Sequence, residues 1–143
     1  MQRLQRKFET AKGLLPQPVE MRAPQPARHG AIFFGSTSPA MLEAIERLRA
    51  AGIEIDALRV RGYPFADSVR DFIDAHESVF VVEQNRDAQL RTLLVDQFGT
   101  DPARLPPVLH YDGTPITATF IANAIAGAMG TPAGAAGAAK GSP

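Results

Sequence analysis

A polar cluster, Glu83-Gln84-Asn85-Arg86, directly follows the apolar run Val79 to Val82, and Gln89 stands about one helical turn further on. A carboxylate such as Glu83 can act as a general acid or base, and the Asn85 and Gln89 amides can donate hydrogen bonds to a ligand. The same residue types also cap helices and bond across domain or subunit boundaries. Because no histidine accompanies the cluster, we expect these five residues to lie at an interface or domain boundary, and we predict no catalytic residue among them.

A hydroxyl-rich loop, Ser36-Thr37-Ser38, lies between a predicted strand and a predicted helix. It resembles the loop with which flavodoxins hold the phosphate of flavin mononucleotide, since hydroxyls and backbone donors at a helix N-terminus attract phosphate. Pro39 and Met41 stand where flavodoxins carry glycine and another hydroxyl, and Pro39 has no N–H. We therefore expect Ser36, Thr37 and Ser38 to serve the helix start, with Ser38 as its cap. A small flavodoxin-like flavin- or phosphate-binding protein is the alternative, and an autonomous nucleotide-binding module is a third hypothesis.

Three aspartates, Asp67, Asp71 and Asp74, fall on one side of a predicted helix at i, i+4 and i+7, a pattern that can hold a metal ion. Arg70 stands among them and is spaced to pair with Asp74. A solvated charged face explains the pattern, so we predict no metal site. The histidines are far apart and show no ligand spacing such as HxxxH. They are His29, His76 and His110.

Length and composition exclude several classes of protein. The 143 residues fit one domain of the usual size. Fifteen Lys plus Arg balance fifteen Asp plus Glu, and this zero net charge argues against nucleic acid or an anionic membrane as partner. The absence of cysteine excludes disulfides, thiolate zinc sites, iron–sulfur ligation and a cysteine nucleophile, and it suits a reducing cytoplasm. The sequence contains neither a secretory signal nor a run of about 20 apolar residues.

Short apolar runs alternate with amphipathic segments, which predicts a three-layer α/β sandwich with a mostly parallel sheet. The predicted strands cover 31–34, 53–60, 79–82 and 106–110, with an edge strand at 19–22. In the strand at 53–60 the alternation slips, which an edge position or a bulge would explain. The first long helix is predicted to bury four apolar side chains. They are Met41, Leu42, Ile45 and Leu48.

The pattern divides the chain into three segments. Residues 1–29 are predicted to form a short charged helix, ended by Gly13, and a proline-rich linker, because four prolines hold that stretch extended. Residues 30–128 are predicted to form the α/β domain. Residues 129–143 are mostly Ala, Gly and Pro, which bury too little to offset the entropy of ordering, so we expect a disordered tail. A linker so near the first residue suggests that an upstream domain is missing.

Four motifs resemble the C-terminal part of the α subunit of 2-oxoacid:ferredoxin oxidoreductases, above all of the 2-oxoglutarate type. They are GAIFFGS at 30–36, RGYPF at 61–65, VFVVEQNRDAQL at 79–90 and YDGTPIT at 111–117. The third motif, continued to Leu94, is the most specific, and the resemblance covers Arg3 to Ala128. Ala88 departs from the pattern, in which we expect glycine. The change bears on how closely a neighbour can approach the start of the following helix.

The resemblance implies a domain like the C-terminal domain of transketolases, with a largely parallel sheet of about five strands. The complete enzyme of that family converts a 2-oxoacid and coenzyme A to acyl-CoA, carbon dioxide and reduced ferredoxin, using thiamine diphosphate, magnesium and iron–sulfur chemistry. Upstream α-subunit domains and a β subunit complete its site. The resemblance therefore implies a structural and assembly domain that holds no cofactor itself and is inactive alone. Apolar surface left by absent neighbours predicts self-association or poor solubility.

Overall fold

In a computed structural model of the chain, residues 2–130 form five α-helices and five strands. The strands are β1 (Val19–Met21), β2 (His29–Phe34), β3 (Asp56–Val60), β4 (Ser78–Glu83) and β5 (Pro107–Leu109). The helices are α1 (Gln2–Leu14), α2 (Ser38–Ala50), α3 (Asp67–Asp74), α4 (Gln89–Phe98) and α5 (Ala118–Ala128). Two short 3₁₀ turns, Gly35–Thr37 and Pro102–Arg104, precede α2 and β5.

The five strands form one sheet in the order β1-β3-β2-β4-β5. The strands β3, β2, β4 and β5 run parallel to their neighbours, whereas β1 pairs antiparallel with β3 at one edge. The predicted α/β fold with a mostly parallel sheet of about five strands is therefore confirmed. Because β1 comes from the segment 1–29, that segment contributes a strand to the sheet.

Two apolar cores lie on the two faces of the sheet. One contains Ala31 and Phe33 of β2 together with the buried faces of α2 and α5, and the other contains Ile32 together with those of α3 and α4. Successive side chains of a strand point to opposite faces, so β2 supplies both cores. The result is a three-layer sandwich in which the buried runs Ala31 to Phe33 of β2 and Val79 to Val82 of β4 are apolar without alternation, as burial on both faces requires.

Helix α2 differs from its prediction at two positions. Leu42 is 50% exposed, and Ala44 lies in the core beside Met41, Ile45 and Leu48. The buried stripe of a helix runs at i, i+3, i+4 and i+7, and Leu42 falls outside it. Ser38 is the first residue of α2 and does not cap it, because the preceding 3₁₀ turn leads the backbone into the helix in helical geometry.

Strand β3 begins later than predicted, at Asp56, and lies inside the sheet between β1 and β2. The explanation by an edge position or a bulge is therefore wrong. Ile53 and Ile55 are buried in the approach to the strand, and the strand itself is covered on both faces, so neither stretch needs alternation. Helix α1 also extends through Gly13 to Leu14.

The predicted tail, 129–143, is largely outside the described residues, since only its first two residues fall within them. Met129 packs against the core that contains α5. No helix among residues 2–130 has both the length and the hydropathy that crossing a membrane requires.

Candidate functional site

The loops that follow β2, β4 and β5 meet at the carboxyl edge of the sheet, where open α/β sheets bind ligands. Gln84, the first residue after β4, joins them. Its Nε2 donates to Ser36 Oγ and to Thr37 Oγ1, both at 3.2 Å, and its Oε1 accepts from the Ile116 N–H at 3.3 Å. We call this set of contacts the Gln84 clamp. Gln84 thereby fixes the positions of three loops relative to one another.

Glu83, the last residue of β4, is fully buried. Its Oε1 accepts from the Leu90 N–H at 2.6 Å and from Asn85 Nδ2 at 2.9 Å, and its Oε2 accepts from the Arg91 N–H at 3.2 Å. Those two N–H groups belong to the first turn of α4, where a helix has free donors and favours negative charge. Glu83 therefore stabilises the start of α4 and has no access to a substrate in solution.

The residues that follow Glu83 differ in exposure. Asn85 is half-buried, and its Oδ1 accepts from the Gln89 N–H at 3.3 Å. Arg86 and Gln89 are exposed, and the Arg86 guanidinium lies 3.2 Å from Asp87 Oδ1. The Glu83–Gln89 loop thus offers Arg86, Gln89 and the outer side of Gln84 to a neighbour, while Glu83 and part of Asn85 serve the loop itself.

Ala88 precedes α4 with a φ of 50°, in the left-handed region. An L-residue with a Cβ is disfavoured there, whereas glycine adopts it readily. The position at which the sequence departs from the expected glycine is therefore one where the backbone favours glycine.

The residues of the Ser36-Thr37-Ser38 loop differ in exposure, since Ser36 is exposed on the second cleft. Ser36 and Thr37 accept from Gln84, and Thr37 is buried. The Ser38 hydroxyl is also buried and has no hydrogen-bond partner among the described residues. Ser36 and Thr37 accept from Gln84 through oxygen lone pairs and keep their O–H donors, so burial limits the access of a phosphate to Thr37 and Ser38.

Two open clefts lie at the carboxyl edge. The first, of about 540 Å³, is mainly apolar; its walls include Phe34, Tyr63, Leu93 and Gln89. The second, of about 450 Å³, adjoins the Gln84 clamp and is lined in part by Ser36, His110 and Tyr111. Both volumes are in the range of small-molecule sites.

His110, on the second cleft, is held by its own turn. Its Nε2 lies 3.0 Å from Asp112 Oδ1 and 3.0 Å from the Thr114 carbonyl oxygen. The Thr114 hydroxyl and the Thr114 N–H both donate to Asp112. These bonds, the hydroxyl's first and the N–H's second in effect, lower the pKa of the Asp112 carboxyl below its ordinary value. The group closes the turn between β5 and α5.

A second buried carboxylate, Asp56, lies at the opposite, amino edge of the sheet. His76 Nε2 is 2.8 Å from Asp56 Oδ2, and His76 Nδ1 is 2.6 Å from the Phe72 carbonyl oxygen. Both ring nitrogens face acceptors, so both contacts are hydrogen bonds only when the imidazolium carries both protons. Arg22 Nη1 and the Ala23 N–H also bond to Asp56, at 3.2 and 2.8 Å.

Sequence reasoning missed this network, because its members are separated by 20 or more positions along the chain. The available signal was an aspartate that opens a strand of mostly apolar residues. Burial alone would raise the pKa of Asp56. The hydrogen bonds from Ala23 and His76, with the positive charges of His76 and Arg22, outweigh burial and lower that pKa.

The acidic face of α3 does not form the pair that the sequence predicted. The Arg70 guanidinium lies over the Phe98 ring, 5.0 Å from its centroid, and Asp74 Oδ1 is instead 3.9 Å from Arg104 Nη1. Within residues 2–130 no group of three or more His, Cys, Asp or Glu side chains is placed to hold a metal ion.

These observations define the class of protein: an open α/β domain whose buried carboxylates and clamped loops serve the fold. No family model matches the sequence. Over 125 residues the chain is 30% identical to the 2-oxoacid:ferredoxin oxidoreductase 2 α subunit of Aeropyrum pernix, which covers 85% of this chain and 19% of that protein. The chain thus spans about a fifth of the length of the curated relative that it matches.

Solved structures share the fold. A 2-oxoglutarate:ferredoxin oxidoreductase from Magnetococcus marinus matches 82% of this chain and 20% of its own, with a TM-score of 0.71 and 24% identity. The α chain of a probable 2-oxoacid ferredoxin oxidoreductase from Thermoplasma acidophilum matches 80% of this chain and 98% of its own, with a TM-score of 0.53 and 22% identity. A split-gene transketolase matches 80% of this chain and 41% of its own, with a TM-score of 0.60 and 15% identity.

The homologues of the chain are 2-oxoacid:ferredoxin oxidoreductase α subunits, so the family predicted from the four motifs is confirmed. The size of the chain suits a C-terminal domain, and the solved structures share its fold.

Proposed function

We propose that the chain is a structural and assembly domain of a 2-oxoacid:ferredoxin oxidoreductase α subunit, with 2-oxoglutarate as the 2-oxoacid. The observation that carries the proposal is at the carboxyl edge, where the Glu83 carboxylate and the Gln84 amide both bond within the domain. The side chains best suited to chemistry therefore hold the fold. A domain of this kind contributes surfaces to a larger enzyme and is inactive alone.

In the complete complex, the proposed reaction converts the 2-oxoacid and coenzyme A to acyl-CoA, carbon dioxide and reduced ferredoxin. Upstream α-subunit domains and a β subunit would hold thiamine diphosphate, magnesium and the iron–sulfur cluster. This chain contains no cysteine to ligate a cluster. Ferredoxin and coenzyme A would reach it only through the assembled enzyme, which we place in the cytoplasm.

The proposed boundary surface is the exposed part of the Glu83–Gln89 loop together with the apolar first cleft beside it. Exposed aromatic side chains, Phe34 and Tyr63, lie on that cleft. Apolar surface of this kind favours a neighbour, and in its absence favours association between copies of the chain. Sedimentation of the purified chain tests the second consequence, and a monomer at high concentration would contradict it.

The proposal is tested by capture of a named partner. The tagged chain is co-expressed with the β-type subunit and the thiamine-binding α-type region of the same organism, and we expect both to be retained. Arg86→Glu should weaken retention about tenfold, since it puts a carboxylate on the boundary surface. Arg28→Glu is the matched control, because both arginine side chains are 76% exposed and bonded to a carboxylate.

Two outcomes would overturn the proposal. One is failure of the unaltered chain to retain either partner. The other is turnover of 2-oxoglutarate by the purified chain alone, with coenzyme A and a viologen acceptor. If both arginine variants retain the partners equally, the assembly function is still supported, but Arg86 does not lie on the boundary surface.

The flavin alternative depends on Ser36, Thr37 and Ser38 being free to bind phosphate. Thr37 and the Ser38 hydroxyl are buried, and Pro39 withholds an N–H at the start of α2. We therefore expect no flavin absorbance in the purified protein and no saturable binding of flavin mononucleotide. Saturable binding that is lost in Ser36→Ala would favour the alternative, and the same titration with adenine nucleotides tests a nucleotide-binding module.

A further inference from the structure

Helix α1 differs from the other four α-helices in having no buried residue. Its recorded side-chain contacts with the body are the pair of Lys12 and Asp67, 3.3 Å apart, and the edge-on packing of Phe8 on Tyr63. Leu4 and Leu14 are 78% and 81% exposed. A helix of 13 residues is marginal in water without packing, so α1 gains from a further contact surface.

The zero net charge of the chain conceals a charge separation. Within residues 2–14 four cations (Arg3, Arg6, Lys7 and Lys12) face one carboxylate, Glu9, which gives +3. Because the whole chain sums to zero, the remainder carries −3. The net charge of the whole chain is therefore zero, although α1 is positively charged.

Three of the four cations of α1 share one side of the helix, and the fourth, Lys12, faces Asp67. Arg3, Arg6, Lys7, Thr10 and Leu14, which we call the basic stripe, line a shallow groove of about 410 Å³. Their spacing follows the helical repeat. In the described part of the chain, the carboxylates recorded within 4.0 Å of a cation of α1 are Glu9 and Asp67, and both bond to Lys12.

The charges of the stripe weaken α1 in isolation. The first turn has no acidic residue, and cations near a helix N-terminus oppose its dipole. Arg3, Arg6 and Lys7 also repel one another at i, i+3 and i+4. A carboxylate-rich surface placed against the stripe would relieve both effects at once.

We propose that α1 docks its basic stripe onto an acidic surface of a neighbouring protein. The inference rests on the proposed function, in which the neighbour is the remainder of the oxidoreductase. A nucleic acid fits less well, because three phosphate contacts give weak, salt-sensitive binding and the body is acidic. A membrane also fits less well, since Phe8 already packs on Tyr63 and leaves only Leu4 and Leu14 to enter a bilayer.

The test is an NMR titration of the ¹⁵N-labelled full chain with a short poly-L-glutamate peptide. We expect shifts confined to the amides of α1 and weakened by salt. Arg3→Glu with Arg6→Glu should reduce affinity about tenfold or more, whereas Arg28→Glu with Arg47→Glu should change it less than about twofold. Arg3→Lys with Arg6→Lys keeps the charge and should keep the binding.

Several results would overturn the inference. They are shifts spread over the body, equal losses in the two glutamate variants, or no binding at all. A short DNA duplex or phosphatidylglycerol vesicles that bind α1 more tightly than poly-L-glutamate would assign the stripe to those partners. If the shifts of the α1 amides depend only on protein concentration, the basic stripe instead binds a second copy of the chain.

The same variants separate this inference from the proposed function. In the capture experiment, Arg3→Glu with Arg6→Glu should lower retention of the oxidoreductase partners about tenfold, and Arg28→Glu with Arg47→Glu should not. If all variants retain the partners equally, the stripe is not the contact although the assembly function stands. If the unaltered chain retains no partner, the assembly function fails, and the titration alone then decides whether α1 recognises carboxylates.

Discussion

Two carboxylates are buried at opposite ends of the parallel strands, one at the carboxyl edge and one at the amino edge of the sheet. They accept hydrogen bonds from different kinds of donor. Glu83, at the end of β4, accepts from backbone N–H groups of α4 and from a side-chain amide, none of which carries a net charge. Asp56, at the start of β3, faces His76 and Arg22 as well as the Ala23 N–H. One site uses dipoles that the helix orients, and the other uses cations.

The difference separates two structural roles. The donors of Glu83 all follow it within eight positions, so its site builds one strand-to-helix connection. The donors of Asp56 come from the turn that follows α3 and from the segment that follows β1, so its site fastens the N-terminal segment to the body. The carboxyl edge therefore organises loops, whereas the amino edge joins parts of the chain that are distant in sequence.

The largest expected effect is at Glu83. Glu83→Ala leaves the Leu90 and Arg91 N–H groups without an acceptor in a buried place, and should lower the free energy of unfolding by about 3 kcal/mol. Urea denaturation measures the loss. Glu43→Ala, which removes an exposed carboxylate paired with Arg47, should cost less than about 1 kcal/mol. Similar losses of unfolding free energy in both variants would mean that the buried Glu83 carboxylate stabilises the fold no more than an exposed one.

A smaller effect, with a pH signature, is expected at Asp56. Asp56→Asn should cost about 2 kcal/mol near neutral pH, because Arg22 loses its counter-charge and the Ala23 N–H and His76 lose a carboxylate partner. The pKa of Asp56 is lowered on folding, so its stabilisation is present above the ordinary carboxyl pKa and is lost as the pH falls through the folded value. The gap between wild type and variant should therefore narrow as the pH falls from neutrality to below the ordinary carboxyl pKa. A gap that stays constant over that range would contradict the cationic description of this site.

Close packing around the amino edge predicts a cost at Gly30. A Cβ there would lie 2.8 Å from two atoms of the Phe72 ring, beside the His76 ring. Gly30→Ala should destabilise by about 1 to 2 kcal/mol, since overpacking a core forces its neighbours to move. Gly127→Ala is the control, because no atom lies within 4 Å of its added Cβ. Thermal unfolding of both variants gives the comparison, and equal midpoints would refute the close packing.

The smallest expected effect is a gain at the carboxyl edge. Ala88→Gly relieves the left-handed backbone before α4 and should raise the free energy of unfolding by about 0.5 to 1 kcal/mol, after the greater chain entropy of glycine is subtracted. Ala128→Gly, at the end of α5, should destabilise instead. A loss in Ala88→Gly would show that the site tolerates alanine without strain.

The elements themselves were predictable, since apolar runs such as Val79 to Val82 and helical spacings such as Leu90 and Leu94 report burial directly. The position of the polar cluster at a strand end was also predictable. The burial of the Glu83 side chain was not predictable, because a glutamate that accepts from the N–H groups of the next helix looks the same in sequence as an exposed acid.

Local capping rules also failed where the preceding backbone was irregular. Ser38 and Pro39 resemble a helix start, but the 3₁₀ turn at Gly35–Thr37 places the Ser38 hydroxyl inside the protein. The contacts of Asp56 and the exposure of α1 depend on which segments meet in space. Periodicity carries no information about either.

The two edge strands of the sheet have a consequence for how copies of the chain can aggregate. β1 and β5 have only three residues each, Pro18 directly precedes β1, and Pro107 within β5 lacks an N–H. Short strands interrupted by proline are poor templates for an added strand. Neighbours must therefore attach through helices and loops, and any self-association should give discrete oligomers instead of fibrils that grow by strand addition.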